Sequence, residues 1–214
     1  MIGDVIHIRP EYFDTADALV ELMLSAHQEK GKTLEVVAIG GESGSGKSVT
    51  AICLQQSLEK KGWRSVILHQ DDYFFLPPKS NHRRREENLA SVGIHEVNLQ
   101  EIEKNIQAFR TKSSSITKPL VNYEEDKIGE EELSFENIDV LLIEGTYTME
   151  IQNCDFRIFM ERNYHDTLAN RISRGREPYS AFVEKVLEIE HQLISPGIEK
   201  ADAIVQKDYS VKKR

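Results

Sequence analysis

Gly41-Glu42-Ser43-Gly44-Ser45-Gly46-Lys47-Ser48 places three glycines, a lysine and a hydroxyl at the spacing G-x-x-x-x-G-K-[ST]. Glycines let successive backbone N–H groups turn inward onto phosphate oxygens, and a helix that follows adds the partial positive charge of its N-terminus. Lys47 has the reach for β- and γ-phosphates, and the Ser48 hydroxyl can ligate Mg²⁺. The chemistry is binding of a nucleoside triphosphate. Its contacts are Gly41, Glu42, Ser43, Gly44, Ser45, Gly46, Lys47, Ser48 and Val49.

Carboxylates supply the other half of such chemistry. Val140-Leu141-Leu142-Ile143-Glu144 is an apolar run ending in an acid, the usual way to hold Mg²⁺ opposite a phosphate loop. Asp71 and Asp72 follow a second apolar run, Ser65 to His69. They admit two roles: a base for an acceptor hydroxyl, and an outer partner of the metal's waters. A plain turn signal is the bland alternative for the pair.

Alternating strands and helices must position these groups. Leu34 to Ile39 reads as a buried strand, and Val49 to Lys61 as a helix stopped by Gly62. Strands are expected at Ser65 to His69, Asp139 to Ile143, Phe156 to Met160 and Ala203 to Val205. Helices are expected at Asn98 to Arg110, Tyr164 to Ser173 and Ala181 to Leu193, the last two separated by an arginine-bearing bend. Ile116 to Tyr123 and Glu131 to Phe135 read as a hairpin around Asp126 to Gly129, while 71–98 shows no clear periodicity. A strand at Asp4 to Arg9 and a helix at Thr15 to Lys30, with Asp14 as N-cap and Gly31 as stop, form an N-terminal strand-helix addition over 1–33. The main domain covers 34–214, with an acceptor-side insertion over about 71–135 and a lid over about 171–180. The class is α/β: a parallel sheet with helices on both faces and ligands at the strands' C-terminal ends.

Composition excludes several partners. Acidic residues outnumber basic ones, 36 to 27, for a formal charge of −9, which opposes nonspecific nucleic-acid binding. No apolar run approaches the roughly 18 residues of a membrane span, and no signal-peptide pattern is seen at the start. Cys53 and Cys154 read as packed thiols in a reducing cytosol. Homo-oligomerisation is left open.

The runs Ile39 to Thr50, Gln70-Asp71-Asp72-Tyr73-Phe74 and Leu142-Ile143-Glu144-Gly145 closely resemble the uridine kinase/phosphoribulokinase family of P-loop kinases. His191-Gln192-Leu193-Ile194-Ser195-Pro196 and Lys200-Ala201-Asp202-Ala203-Ile204-Val205 resemble its closing helix and last strand. The resemblance covers about residues 34–206. It implies a P-loop NTPase fold with a five-stranded parallel core and a cytoplasmic, ATP- and Mg²⁺-dependent kinase acting on a small molecule's hydroxyl. It assigns the base to Asp71 and the metal to Ser48 and Glu144, with Asp72 as outer partner. Lys47 and the lid arginines Arg171, Arg174 and Arg176 would neutralise the transferring group; surface charge beside a helix end is the bland alternative for each of the three arginines.

Two departures bear on the acceptor. Uridine kinases carry an Asp-His-Pro-Asp-like stretch where this chain has Val92-Gly93-Ile94-His95-Glu96-Val97-Asn98, and a Tyr-Asp-Phe-like hairpin with a nearby His. Here Tyr123 is followed by Glu124-Glu125-Asp126-Lys127. Tyr73, Tyr123, His95 and Glu96 are therefore the acceptor candidates, suited to a nucleoside-like or sugar-like molecule. Arg84, within Arg83-Arg84-Arg85, is a candidate for a phosphate on the acceptor; the same run also reads as solvated charge countered by Glu86 and Glu87. A uridine/cytidine kinase and a non-catalytic ATP-binding module stay open as alternatives. A GTPase switch is weaker, because no Asn-Lys-x-Asp guanine reader occurs.

Overall fold

The computed structural model describes residues 8–30, 34–174 and 180–214. After α1 (Glu11–Lys30) come β1 (Val36–Gly41), α2 (Lys47–Lys60) and β2 (Ser65–His69). A single 3₁₀ turn, Gln70–Tyr73, leads to α3 (Pro78–Glu87), α4 (Leu99–Arg110) and the hairpin strands β3 (Ser115–Asn122) and β4 (Lys127–Ser134). The chain ends with β5 (Val140–Gly145), β6 (Phe156–Met160), α5 (Leu168–Arg174), α6 (Ala181–Ile194), β7 (Ala203–Val205) and β8 (Val211–Lys213).

The main sheet runs β2-β5-β1-β6-β7-β8. The first five strands are mutually parallel, and β8 is an antiparallel edge on β7. Strands β1 and β5 are buried along their whole length, so their side chains must be apolar on both faces. Val36, Ala38, Leu141 and Ile143 face one layer, with Ile102, Ile106 and Phe109 of α4. Val37, Ile39, Val140 and Leu142 face the other, with Leu54 and Leu58 of α2 and Leu19, Val20 and Met23 of α1. The period of two along each strand produces this division. Each large aliphatic side chain buried this way contributes about 1.5–3 kcal/mol, so α1 is part of the same core as α2.

Helix starts follow local chemistry. Asn98 Oδ1 accepts from Glu101 N–H at 3.1 Å to cap α4, and Ser180 Oγ accepts from Val183 N–H at 3.2 Å to cap α6. Gly62 ends α2 at φ +84°.

Several expectations change. Helix α1 begins at Glu11, so Asp14 lies inside it instead of capping it. Residues 4–7 of the expected first strand, and Gly31, lie outside the described residues, while Ile8 and Arg9 are irregular. Helix α3 was not foreseen: Pro78 to Glu87 contains no Ala, Val, Leu, Ile, Met, Phe, Tyr or Trp to mark a periodicity. Its Pro sits at the first position, where a missing N–H costs nothing. Helix α5 starts at Leu168, later than expected. The five-stranded core gains the short edge strand β8. No helix among the described residues is long and apolar enough to cross a membrane.

Candidate active site

The phosphate loop joins β1 to α2. Gly46 immediately precedes α2 at φ +103°, and no side chain caps the helix, so the first-turn N–H groups point at the loop's interior. Gly44 has φ +74°, and a Cβ there would lie 2.9 Å from Arg171 Cγ; only glycine fits. Thr167 Oγ1 donates to Ser43 O at 2.9 Å and Asn170 Nδ2 to Gly44 O at 3.3 Å. Helix α5 and the turn before it are therefore laid directly on the loop.

Glu42 is not turned toward a ligand. Its carboxylate accepts from Tyr164 N–H at 2.6 Å and pairs with His191 Nδ1 at 2.6 Å. Its carbonyl accepts from Lys47 Nζ at 2.9 Å, which stores the lysine across the mouth of the loop. His191, Tyr164, Thr167 and Asn170 escaped the sequence reading because their partners are backbone groups and a carboxylate more than 100 residues away.

At the end of β5, Glu144 is buried and lies beside β2 in register with His69. Its Oε1 is 2.7 Å from His69 Nδ1. Burial would raise the Glu144 carboxyl, but the hydrogen bond and charge of His69, the Lys47 charge and a hydrogen bond from Ser48 together hold it below the usual carboxylate range. Burial pushes the His69 imidazole the other way, and Glu144 more than compensates, so its pKa is raised. Ser48 and Glu144 thus form adjacent hard oxygen donors on a site kept anionic. Such a pair suits Mg²⁺, which takes one or two protein oxygens and completes its shell with phosphates and water. Ser45 Oγ, in the same loop, is buried with no hydrogen-bond partner among the described residues.

The 70–73 turn sits at the C-terminal end of β2. Gln70 is fully buried, accepts from Tyr147 N–H at 2.6 Å, and abuts Gly145 so closely that a Cβ there would lie 2.3 Å from Gln70 Cβ. Asp71 alone of the four is partly exposed. Asp72, expected as an outer metal partner, is instead a fully buried counter-ion. Its Oδ2 accepts from Lys118 Nζ at 2.9 Å and its Oδ1 from Val121 N–H at 3.0 Å, both on β3. Tyr73, expected at the acceptor, is a core residue whose hydroxyl accepts from Asn105 Nδ2 at 2.8 Å.

Glu96 is corrected in the same way. Its buried carboxylate accepts from Arg85 Nε at 2.6 Å and Nη2 at 2.9 Å, from Asn81 Nδ2 at 2.8 Å and from Gly93 N–H at 2.6 Å. Arg85 also donates to Glu190 of α6 at 2.9 Å. Within the arginine run, Arg85 is thus countered by Glu96 and Glu190, while Arg83 lies 3.7 Å from Asp126 and Glu86 lies 3.5 Å from His82. Arg84 is exposed on α3, His95 is exposed beside Gly93, and Tyr123 is half-buried at the hairpin turn. Arg171 has its stem on Gly44, donates from Nη2 to Tyr164 O at 2.9 Å, and keeps a buried Nε with no partner among the described residues. Arg174 ends α5, and Arg176 lies outside the described residues.

Arg85→Leu should leave Glu96 and Glu190 without their shared buried cation. Breaking a buried pair by removing one partner costs about 3–5 kcal/mol. Urea unfolding is expected to show a midpoint lowered accordingly; an unchanged midpoint would show that the network carries no stability.

A phosphate loop beside Ser48 and Glu144, on a parallel sheet ordered β2-β5-β1-β6-β7, defines a P-loop nucleotide-binding fold. Residues 36–212 match the Phosphoribulokinase / Uridine kinase family, and the chain belongs to it. It is 32% identical over 190 residues to the bifunctional alpha-galactosidase/sucrose kinase AgaSK of Mediterraneibacter gnavus, a match covering 82% of this chain and 20% of that protein. The chain therefore spans about a fifth of that relative's length. It is 24% identical over 184 residues to a uridine kinase of Macrococcus caseolyticus, covering 79% of this chain and 86% of the relative. A solved structure described as a possible uridine kinase from Bacillus stearothermophilus shares the fold, with a TM-score of 0.64 at 21% identity, covering 89% of this chain and 97% of that one.

Proposed function

We propose that this protein transfers the γ-phosphoryl group of ATP to a hydroxyl of a sugar-like small molecule. The observation that carries the reading is the position of Asp71. It is the one partly exposed side chain on a turn at the C-terminal end of β2, the strand whose last residue, His69, is bonded to Glu144. There it accepts the proton of the acceptor hydroxyl as that oxygen attacks the γ-phosphorus in line, and the bond from phosphorus to the β,γ-bridging oxygen breaks to release ADP. Lys47 leaves the Glu42 carbonyl to follow the charge developing on the transferred group, and Arg171 supports it from the lid side. Mg²⁺ held by Ser48 and Glu144 would supply charge neutralisation at the β- and γ-oxygens. The transition state is loose, so positioning and electrostatics carry most of the acceleration, without a covalent enzyme intermediate.

A sugar-like acceptor is favoured by what surrounds Tyr123. The hairpin turn continues as Glu124-Glu125-Asp126-Lys127, with no aromatic ring or His to stack on a pyrimidine. Similarity to a protein that includes a sucrose kinase adds support. Steady-state assays with ATP should compare sucrose, fructose, pentose phosphates, uridine and cytidine. Losing two base readers at about 1–3 kcal/mol each predicts uridine kcat/KM at least about tenfold below that of the best sugar. Efficient uridine turnover with a micromolar KM would make the protein an ordinary uridine kinase.

A further inference from the structure

Each buried residue of the 70–73 turn is fastened to a different element. Gln70 is held against Gly145 at the end of β5, and Tyr73 is bonded to Asn105 of α4. Asp72 is held by the hairpin, through Lys118 and Val121 of β3. Lys118 is 2% exposed, an unusual environment for a lysine. Its Nζ lies 2.9 Å from Asp72, 2.5 Å from Glu131 of β4 and 3.0 Å from the Pro119 carbonyl. One ammonium therefore joins both hairpin strands to the turn that carries Asp71.

We propose that Lys118 is a positioning residue for phosphoryl transfer: through Asp72 it sets the place of Asp71 and makes the hairpin and the base a single body. The inference rests on the reading of Asp71 as the base. A buried charge pair suits this task because its attraction is strong and directional where water is excluded. Tyr123 stands at the end of the same hairpin, one residue beyond β3. A shift of the hairpin would move an acceptor contact and the base together, so the reacting oxygen and its proton acceptor keep their separation.

The test separates holding the fold from holding the base. Lys118→Met keeps the length of the side chain and removes its charge, leaving Asp72 buried beside Glu131. The double variant Lys118→Met with Asp72→Asn removes both charges and carries the test if the single variant fails to fold. In the double variant, thermal stability should return close to that of the parent, and the KM for ATP should be unchanged. Its kcat, on the best acceptor from the sugar and nucleoside screen, should stay about tenfold to a hundredfold down, the scale expected when reacting groups are displaced by a fraction of an ångström to an ångström. Parental kcat in the stable double variant would overturn the proposal. Hydrogen exchange needs no acceptor: amides of 71–73 should exchange faster in the variants while those of 43–48 keep their protection. Faster exchange confined to the hairpin would also overturn it. If the parent protein phosphorylates nothing in the screen, the kinase reading falls, and the exchange measurement still decides whether Lys118 holds the turn.

Discussion

Lys47→Ala should lower phosphoryl transfer by about a hundredfold or more, equivalent to about 2.7 kcal/mol of transition-state stabilisation. The side chain is the cation built into the phosphate loop, and it also helps keep Glu144 ionised. Alanine removes the charge that follows the γ-phosphate while the backbone loop and the uncapped start of α2 remain. The fold is expected to survive, since the Lys47 side chain bonds to a carbonyl of its own loop, Glu42 O. The measurement is kcat at saturating ATP, alongside a thermal melt. A well-folded variant with parental turnover would remove this loop from the chemistry.

Asp71→Asn is expected to have the largest effect of any single substitution. Asparagine keeps the size and polarity of the side chain but cannot take up the acceptor's proton. General-base catalysis is worth about a hundred- to ten-thousandfold, and kcat should fall within that span while binding of a non-hydrolysable ATP analogue stays near the parental affinity. The adjacent Asp72→Asn should behave differently. It weakens a buried, charge-assisted bond to Lys118, so stability should drop by about 1.5–3 kcal/mol, with a smaller loss in kcat. If Asp72→Asn were the more damaging to turnover at equal stability, the base would have been assigned to the wrong carboxylate.

The contrast between these neighbours shows where sequence reasoning stops. The phosphate loop was legible because it acts through contiguous backbone, and glycine at Gly44 and Gly46 is required by positive φ that the local pattern announces. Glu144 was legible because an acid closing the apolar run Val140 to Ile143 marks the C-terminal edge of the sheet, and it stands one residue before β5 ends. Tyr73 and Glu96 were misplaced because their types suit either a ligand or a buried partner. Asn105, Arg85 and Asn81, which decide the matter, arrive from other elements. Arg84 was singled out where its neighbour Arg85 is the buried one, a difference of one helical step that the unforeseen α3 made unreadable.

The sequence by itself determined the parallel α/β sheet, the nucleotide loop and the presence of acids at the ends of β2 and β5, because contiguous apolar runs and glycine spacing encode them locally. Tertiary structure alone decided which acids are committed to buried cations. It assigned Asp72 to Lys118 and both Glu96 and Glu190 to Arg85, leaving Asp71 as the partly exposed carboxylate of its turn. The reason is physical: a buried charge requires a partner held in place, and which partner is near depends on elements tens of residues apart that only the assembled sheet brings together.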